Sequence, residues 1–296
     1  MGELKIRNLR PEFGAEVSGL VPHIPLDTQT AETLKNLFDE RSLLVFRDID
    51  LDLKFQTYLS ELLIGNDALA PGAPPPVENF YVSNEKETAA APFGRLMYHS
   101  DGQWSKERSE LLSLYGEKVE QPSVPTMFIS SAVGWDTLPG NLHARIKGRF
   151  AVHMHDEETY LKRAKGDTEV LVNSYTGNDK SNRMPIAYKH PRTGRMLLYV
   201  SQQMTHHIDG LSPQESEELL EALFKHLYAP GKELSHHWRE RDLVMWDNLA
   251  LQHARPNVES KGPKRTLRKT IAPVPRFQSA GMAYSQLGKL PAQSQS

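Results

Sequence analysis

The chain has 296 residues, 39% hydrophobic and 24% charged, with 35 basic against 37 acidic side chains, a formal net charge of −2 at pH 7 and no cysteine. That balance suits a soluble globular protein with a sizeable core, and it offers no basic stripe for nucleic acid. Disulfides, thiolate metal sites and cysteine nucleophiles are excluded, and no apolar run reaches the roughly 20 residues of a membrane span. With no apolar leader after Met1, a reducing cytoplasm is the expected setting.

In chain order, residues 4–25 read as short strands and turns, Leu4-Lys5-Ile6 and then Gly14 to Leu20. Ala31, Leu34, Leu37 and Phe38 recur at helical spacing between Thr28 and Glu40. Ser42 to Phe46 is a continuous apolar run of strand length, expected to be buried on both faces. A second helix is expected over 53–64, with Phe55, Leu59, Leu62 and Leu63 on one side. Residues 65–95 are rich in Pro, Gly and Ala around one short strand, Phe80-Tyr81-Val82, and read as the rim of a site. Arg95, in that rim, is a candidate substrate contact against the plainer reading of a surface arginine.

Thr126 to Ala132 reads as a strand, Leu138 to Lys147 as a short helix and Phe150 to His155 as a strand. Residues 156–184 are polar and read as a mobile insert or lid. Ile186 to His190 and Met196 to Val200 form strands around the Pro191-Arg192-Thr193-Gly194 turn. Ser212-Pro213-Gln214-Glu215 is a capping box with Pro at the first helical position, opening a helix to about Tyr228. Trp238 is assigned to one strand and Asp242–Asp247 to another; after His253 a polar loop leads to the segment Arg265–Ala272. Many short strands with turn signals argue for a mostly β protein with flanking helices and a double-stranded β-helix (jelly roll) core. One domain is expected over 1–277, with 278–296 a poorly ordered Ser- and Gln-rich tail.

The chemistry centres on His99-Ser100-Asp101. On an extended strand, side chains two residues apart share a face, so an imidazole nitrogen and a carboxylate oxygen converge on one point. With His253 as the proposed third ligand they form the 2-His-1-carboxylate set that holds Fe(II) and leaves other positions open. The triplet alone is a common pattern in a chain with 12 His; a second copy, His207-Ile208-Asp209, abuts a turn and a helix start, a poor place to fix two side chains. His153 and His155, at the same spacing, are a rival metal pair.

Company downstream lifts the first triplet. Thr126 opens a strand, Asp242-Leu243-Val244-Met245-Trp246-Asp247-Asn248 is followed by Gln252-His253, and Arg265 comes twelve residues after that histidine. With Gly14 to Gly19, Leu44-Val45-Phe46-Arg47, His190-Pro191-Arg192-Thr193-Gly194 and Leu198-Tyr199-Val200, the chain resembles the taurine dioxygenase / 2,4-dichlorophenoxyacetate dioxygenase family of Fe(II)/2-oxoglutarate-dependent oxygenases over most of its length. The resemblance implies His99, Asp101 and His253 as iron ligands, with 2-oxoglutarate and O2 in the remaining positions. It implies Arg265 as the fork for the far carboxylate of 2-oxoglutarate and Thr126 as a hydroxyl donor to it.

One departure stands out. The family carries a second arginine four residues after the first; here alternation puts Lys269 on the face of Arg265 and Arg268 on the other. A small bulge turning Arg268 inward is the alternative. A lysine is a point charge, not a fork, so a sulfonate or phenoxyacetate substrate does not follow, though Lys269 remains a candidate cofactor or anion contact. Met204 falls near an apolar substrate-contacting position of the family, or is core. Because related halogenases lack the carboxylate, Asp101 argues for hydroxylation or another non-halogenating oxidation. The expectation is an oxygenase acting on a small, anionic molecule, assembled as a homo-dimer or tetramer. The rivals are a cupin-like metalloprotein using His153 and His155, and a non-catalytic binding module.

Overall fold

The computed structural model describes residues 3–70, 80–86, 89–172 and 181–274. Its elements in order are β1 (Lys5–Asn8), β2 (Ala15–Ser18), α1 (Thr28–Arg41), β3 (Leu43–Phe46), α2 (Leu53–Leu63), β4 (Phe80–Ser83), β5 (Gly94–His99), β6 (Leu111–Val119), β7 (Thr126–Ser130), α3 (Ser131–Asp136) and α4 (Gly140–Ile146). Then come β8 (Phe150–Met154), α5 (Glu157–Ala164), β9 (Ser181–Pro185), β10 (Ala187–Lys189), β11 (Met196–Leu198), β12 (Thr205–Ile208), α6 (Pro213–Leu227), β13 (Leu234–His236), β14 (Leu243–Asp247), β15 (Leu251–Val258) and β16 (Arg265–Ala272). The protein is thus mostly β with flanking helices. Among the described residues, no helix is long and apolar enough to cross a membrane.

Two sheets carry the site. A seven-stranded sheet runs β1-β2-β3-β14-β6-β16-β4, and a four-stranded sheet runs β13-β7-β15-β5. Their inner faces meet in one apolar cluster, with Leu43, Leu112, Leu114, Trp246 and Leu267 from the larger sheet against Phe128, Leu251 and Leu234 from the smaller. Strand alternation makes this work: β14 lies in the middle of its sheet and is buried on both sides, Val244 and Trp246 facing the smaller sheet and Leu243 and Met245 facing the helices.

On the outer face, α1 and α2 cover the larger sheet. Leu34, Leu37, Phe38, Phe55 and Leu59 pack there on Leu44, Phe46 and Met245. A polar seam runs beneath α2: Gln56 Nε2 donates to Ser113 Oγ at 2.9 Å, and Ser113 Oγ and Thr270 Oγ1 lie 2.6 Å apart. Asp27 and Asp52 cap these helices through the amides of Thr30 and Phe55. The capping box at Ser212 and Glu215 forms as expected, and α6 buries Leu219, Leu220, Leu223, Phe224 and Leu227, roughly 1.5–3 kcal/mol each.

Several expectations are corrected. The strand opening at Thr126 ends at Ser130, whose hydroxyl accepts from the Val133 amide and starts α3. Trp238 lies beyond β13, in no strand. The chain after His253 stays in β15 as far as Val258, with Ala254, Arg255 and Val258 buried, and the polar loop is confined to 259–264. The longest strand, β6, lies in a stretch, 104–125, for which no element was expected.

The 156–184 insert is in large part ordered structure. Residues 173–180 lie outside the described set, but β9 pairs with β8, and α5 is capped by Asp156. Tyr160 and Ala164 of α5 pack on Met97 and Val170. Buried Arg163 donates to the Thr205 and His206 carbonyls and to Glu217. Gly94 lets this segment close on β5: its φ is +83°, and a Cβ there would lie 3.1 Å from Leu171 Cβ and 3.2 Å from the Glu169 carbonyl.

Candidate active site

His99 and His253 are cross-strand partners on β5 and β15, their ring centroids 4.2 Å apart. β5 ends at His99, and Asp101 sits in the following turn, so period-2 alternation does not aim its carboxylate, contrary to the sequence argument. Asn248 aims it. Its side chain accepts from the Asp101 amide at 2.9 Å and donates to the Asp101 carbonyl at 2.8 Å and the Ser109 carbonyl at 2.9 Å. The tip of the β14–β15 turn therefore holds the turn that carries the carboxylate.

Asp101 Oδ1 lies 3.2 Å from His99 Nε2 and 3.7 Å from His253 Nε2. One ligand atom from each of the three residues falls within 4.8 Å of the others, the one such group among the described residues. His99 Nδ1 lies 2.7 Å from the Met97 carbonyl, which can only accept, so Nδ1 carries a hydrogen and Nε2 is the nitrogen turned toward Asp101.

Burial and the His99 imidazole hold His253 well below the ordinary histidine range, hence neutral. Burial alone would push the Asp101 carboxyl up; the Lys269 ammonium and the two imidazoles reverse this and hold it well below the usual carboxylate range. Two imidazoles and an ionised carboxylate are a donor set that fits Fe(II).

β16 presents the residues beside this triad. Leu267 and Ile271 of its inner face belong to the inter-sheet cluster, and Arg265 and Lys269 share their parity. Lys269 Nζ is ion-paired with Asp101 Oδ2. Arg268 points outward: its Nε donates to Gln56 Oε1 at 2.8 Å, Nη1 to Glu117 Oε1 at 3.0 Å and Nη2 to the Leu51 carbonyl at 3.1 Å. A register shift does occur here, but it skips Glu117 on β6 and leaves the alternation of β16 intact, so the inward alternative for Arg268 fails.

Arg265 is 5% exposed and donates from Nη1 to the Val124 carbonyl at 2.9 Å. Burial lowers it to about 10, so it remains a cation at neutral pH. It also bounds a cavity of about 270 Å³ with Val124, Val258 and Pro263, a cavity that does not reach the triad. Thr126 is buried, and its Oγ1 accepts from Trp238 Nε1 at 3.0 Å. Indole N–H only donates, so the threonine's own hydrogen is left for another acceptor.

The remaining candidates have other partners. Arg95 is ion-paired with Asp167 at 2.5 Å, tying β5 to the segment after α5. Met204 is buried, its carbonyl accepting from the Met154 amide. His153 and His155 do not form a metal pair: His153 is fully buried beside Tyr199 and Thr205, whereas His155, beyond the end of β8, lies beside Trp104 and Tyr160.

Three contributors, Tyr160, Gln203 and Arg255, went unrecognised in the sequence. Gln203 Nε2 donates to Tyr160 Oη at 3.1 Å, and Tyr160 Oη lies 3.2 Å from His155 Nδ1. Burial, with the His99 imidazole nearby, lowers His155 to about 4, so its ring is neutral at neutral pH. Arg255, two residues after His253, donates to the carbonyls of Ala91, Phe93 and Gly94 at 2.7–3.0 Å and so joins β15 to the start of β5. Its partners are carbonyls, which leave no sequence signal; Tyr160 and Gln203 lie too far apart in sequence for any local pattern.

The model of the taurine catabolism dioxygenase TauD, TfdA family matches residues 5–271. The chain belongs to this family. Its activity class is that of an α-ketoglutarate-dependent (2-oxoglutarate-dependent) dioxygenase, an oxidoreductase. An α-ketoglutarate-dependent 2,4-dichlorophenoxyacetate dioxygenase of Cupriavidus pinatubonensis is 24% identical over 261 residues, covering 83% of this chain and 89% of that protein. An (S)-phenoxypropionate/α-ketoglutarate-dioxygenase of Sphingobium herbicidovorans is 28% identical over 54% of this chain and 56% of its own. Among solved structures, AAD-2 in complex with Mn(II) and N-oxalylglycine superposes with a TM-score of 0.72 at 25% identity, covering 91% of this chain and 96% of that one.

Proposed function

We propose that this dioxygenase uses Fe(II) held by His99, Asp101 and His253 to oxidise a C–H bond of a small anionic molecule, while 2-oxoglutarate and O2 become succinate and CO2. The observation that carries the reading is the convergence of two imidazole nitrogens and one ionised carboxylate oxygen within 4.8 Å. Iron bound there supplies the redox chemistry that couples oxidative decarboxylation of 2-oxoglutarate to attack on the substrate.

The chain's own residues do the rest. Arg265 grips the far carboxylate of 2-oxoglutarate; its buried, still-charged fork has nitrogen atoms beyond the one given to the Val124 carbonyl. Thr126 donates its hydroxyl hydrogen to the same co-substrate, its oxygen already engaged by Trp238. Leu112, Leu114 and Trp246, buried between the sheets, keep bulk water from this end of the site. The presence of Asp101 favours hydroxylation, or hydroxylation ending in bond cleavage, over halogenation.

The fold reading is a double-stranded β-helix core in one domain over 1–277, supported by two facing sheets, antiparallel except at the β2–β3 pair, whose inner faces share one apolar cluster. A cytoplasmic homo-oligomer, dimer or tetramer, is the expected form, checked by light scattering. The anionic substrate rests on the names of the relatives.

Anaerobic addition of Fe(II) and 2-oxoglutarate tests the reading: a visible charge-transfer band is expected from wild type and absent from His99→Ala. A screen for succinate release across phenoxyalkanoates, alkanesulfonates and alkyl sulfates then identifies the substrate. Absence of the band in wild type overturns the iron and co-substrate assignment.

A further inference from the structure

The two oxygens of Asp101 are divided between different neighbours. Oδ1 faces both imidazole Nε2 atoms, at 3.2 and 3.7 Å, while Oδ2 is ion-paired with the Lys269 ammonium. The lysine side chain is 14% exposed, and the carboxylate is held from behind by Asn248 through the Asp101 main chain. Rotation of the carboxylate about its Cβ–Cγ bond would therefore break a largely desolvated ion pair, and translation of the whole residue would break the Asn248 clamp.

This division matters because a carboxylate beside a divalent cation can bind through one oxygen or both. An octahedral ion with three protein ligands keeps three positions, and the co-substrate and O2 need all of them. A chelating Asp101 would take one. We infer that Lys269 is a positioning residue that holds Asp101 to a single-oxygen ligand and so preserves the third open position. The inference rests on the triad reading proposed above. It gives the lysine a task other than gripping the co-substrate or an anionic substrate, and it accounts for a compact ammonium where a longer planar fork would have to share itself between Asp101 and a ligand.

The test counts water on the metal and needs neither substrate nor turnover. Mn(II) is loaded to saturation into wild type, Lys269→Met, Lys269→Ala and Lys269→Arg, and water-proton relaxivity is measured per bound ion. In the two neutral variants the freed carboxylate chelates, and relaxivity falls by about one third, the share of one water among three. Lys269→Arg, which keeps a cation on Oδ2, stays at the wild-type value. Circular dichroism checks the fold, and the alanine variant serves if an apolar methionine beside the Asp101 carboxylate prevents folding. Wild-type relaxivity in a folded neutral variant at saturating Mn(II) overturns the inference. A wild type that binds no Mn(II) overturns the triad reading instead, so the two failures are told apart.

Discussion

Two copies of the same triplet, His99-Ser100-Asp101 and His207-Ile208-Asp209, end in different chemistry. In the first, both side chains meet His253 from a neighbouring strand, and Asn248 fixes the turn that carries the aspartate. In the second, His207 Nδ1 lies 2.8 Å from His206 Nδ1, and Asp209 turns away to an exposed ion pair with Arg183 at 2.7 Å. Neither aspartate lies in a strand, so the spacing is not what distinguishes them. The difference is what the rest of the fold brings up to the triplet.

The comparison breaks most sharply at His253, the proposed third ligand. His253→Ala is expected to weaken Mn(II) binding and succinate release about 100-fold or more while leaving the melting curve near wild type, read by calorimetric titration and a succinate assay. Asn248→Ala keeps all three ligands but frees the Asp101 turn; roughly 10-fold weaker Mn(II) binding is expected, and wild-type affinity would show that the turn holds its shape unaided.

A third histidine sharpens the contrast. His153 is buried as deeply as His99 but has no carboxylate beside it, and burial lowers it from 6.5 to about 3. The unfolded chain therefore takes up a proton at acid pH that the native protein refuses. The stability tied to this neutral ring is fully present above about pH 6.5 and is lost as pH falls toward 3, amounting to about 2 kcal/mol by pH 5. His153→Asn should flatten the fall in stability between pH 7 and pH 5 by about that amount, measured by urea denaturation at each pH. The smallest effect is expected at the second triplet: His207→Ala and Asp209→Ala should each change stability by no more than about 0.5 kcal/mol and leave Mn(II) affinity unchanged.

Legibility followed the range of the forces involved. The capping box at Ser212, the stripe from Leu219 to Leu227 and the apolar run Leu43–Phe46 are local, and each became the expected element. Helix α5 was hidden by its polar surface, because it is held by one buried arginine and a few apolar contacts. Strand β6 lacks flanking alternation, since Leu111, Leu112 and Leu114 are buried on opposite faces of a covered sheet. In the site, Arg265 and Lys269 were placed on one side of β16 by parity alone, whereas the pairing of Lys269 with Asp101 joins residues 168 positions apart and has no sequence signature.

The sequence by itself determined which residue types could serve as ligands and fork, and in what order along the chain they come, because donor chemistry and strand parity are local properties. Only the tertiary structure decided that a turn and not a strand aims Asp101, that its two oxygens face different partners, and that Arg268 serves the outer seam under α2. Those outcomes depend on which strands become neighbours, and that is set by burying two sheets and two helices against one another rather than by any short stretch of residues.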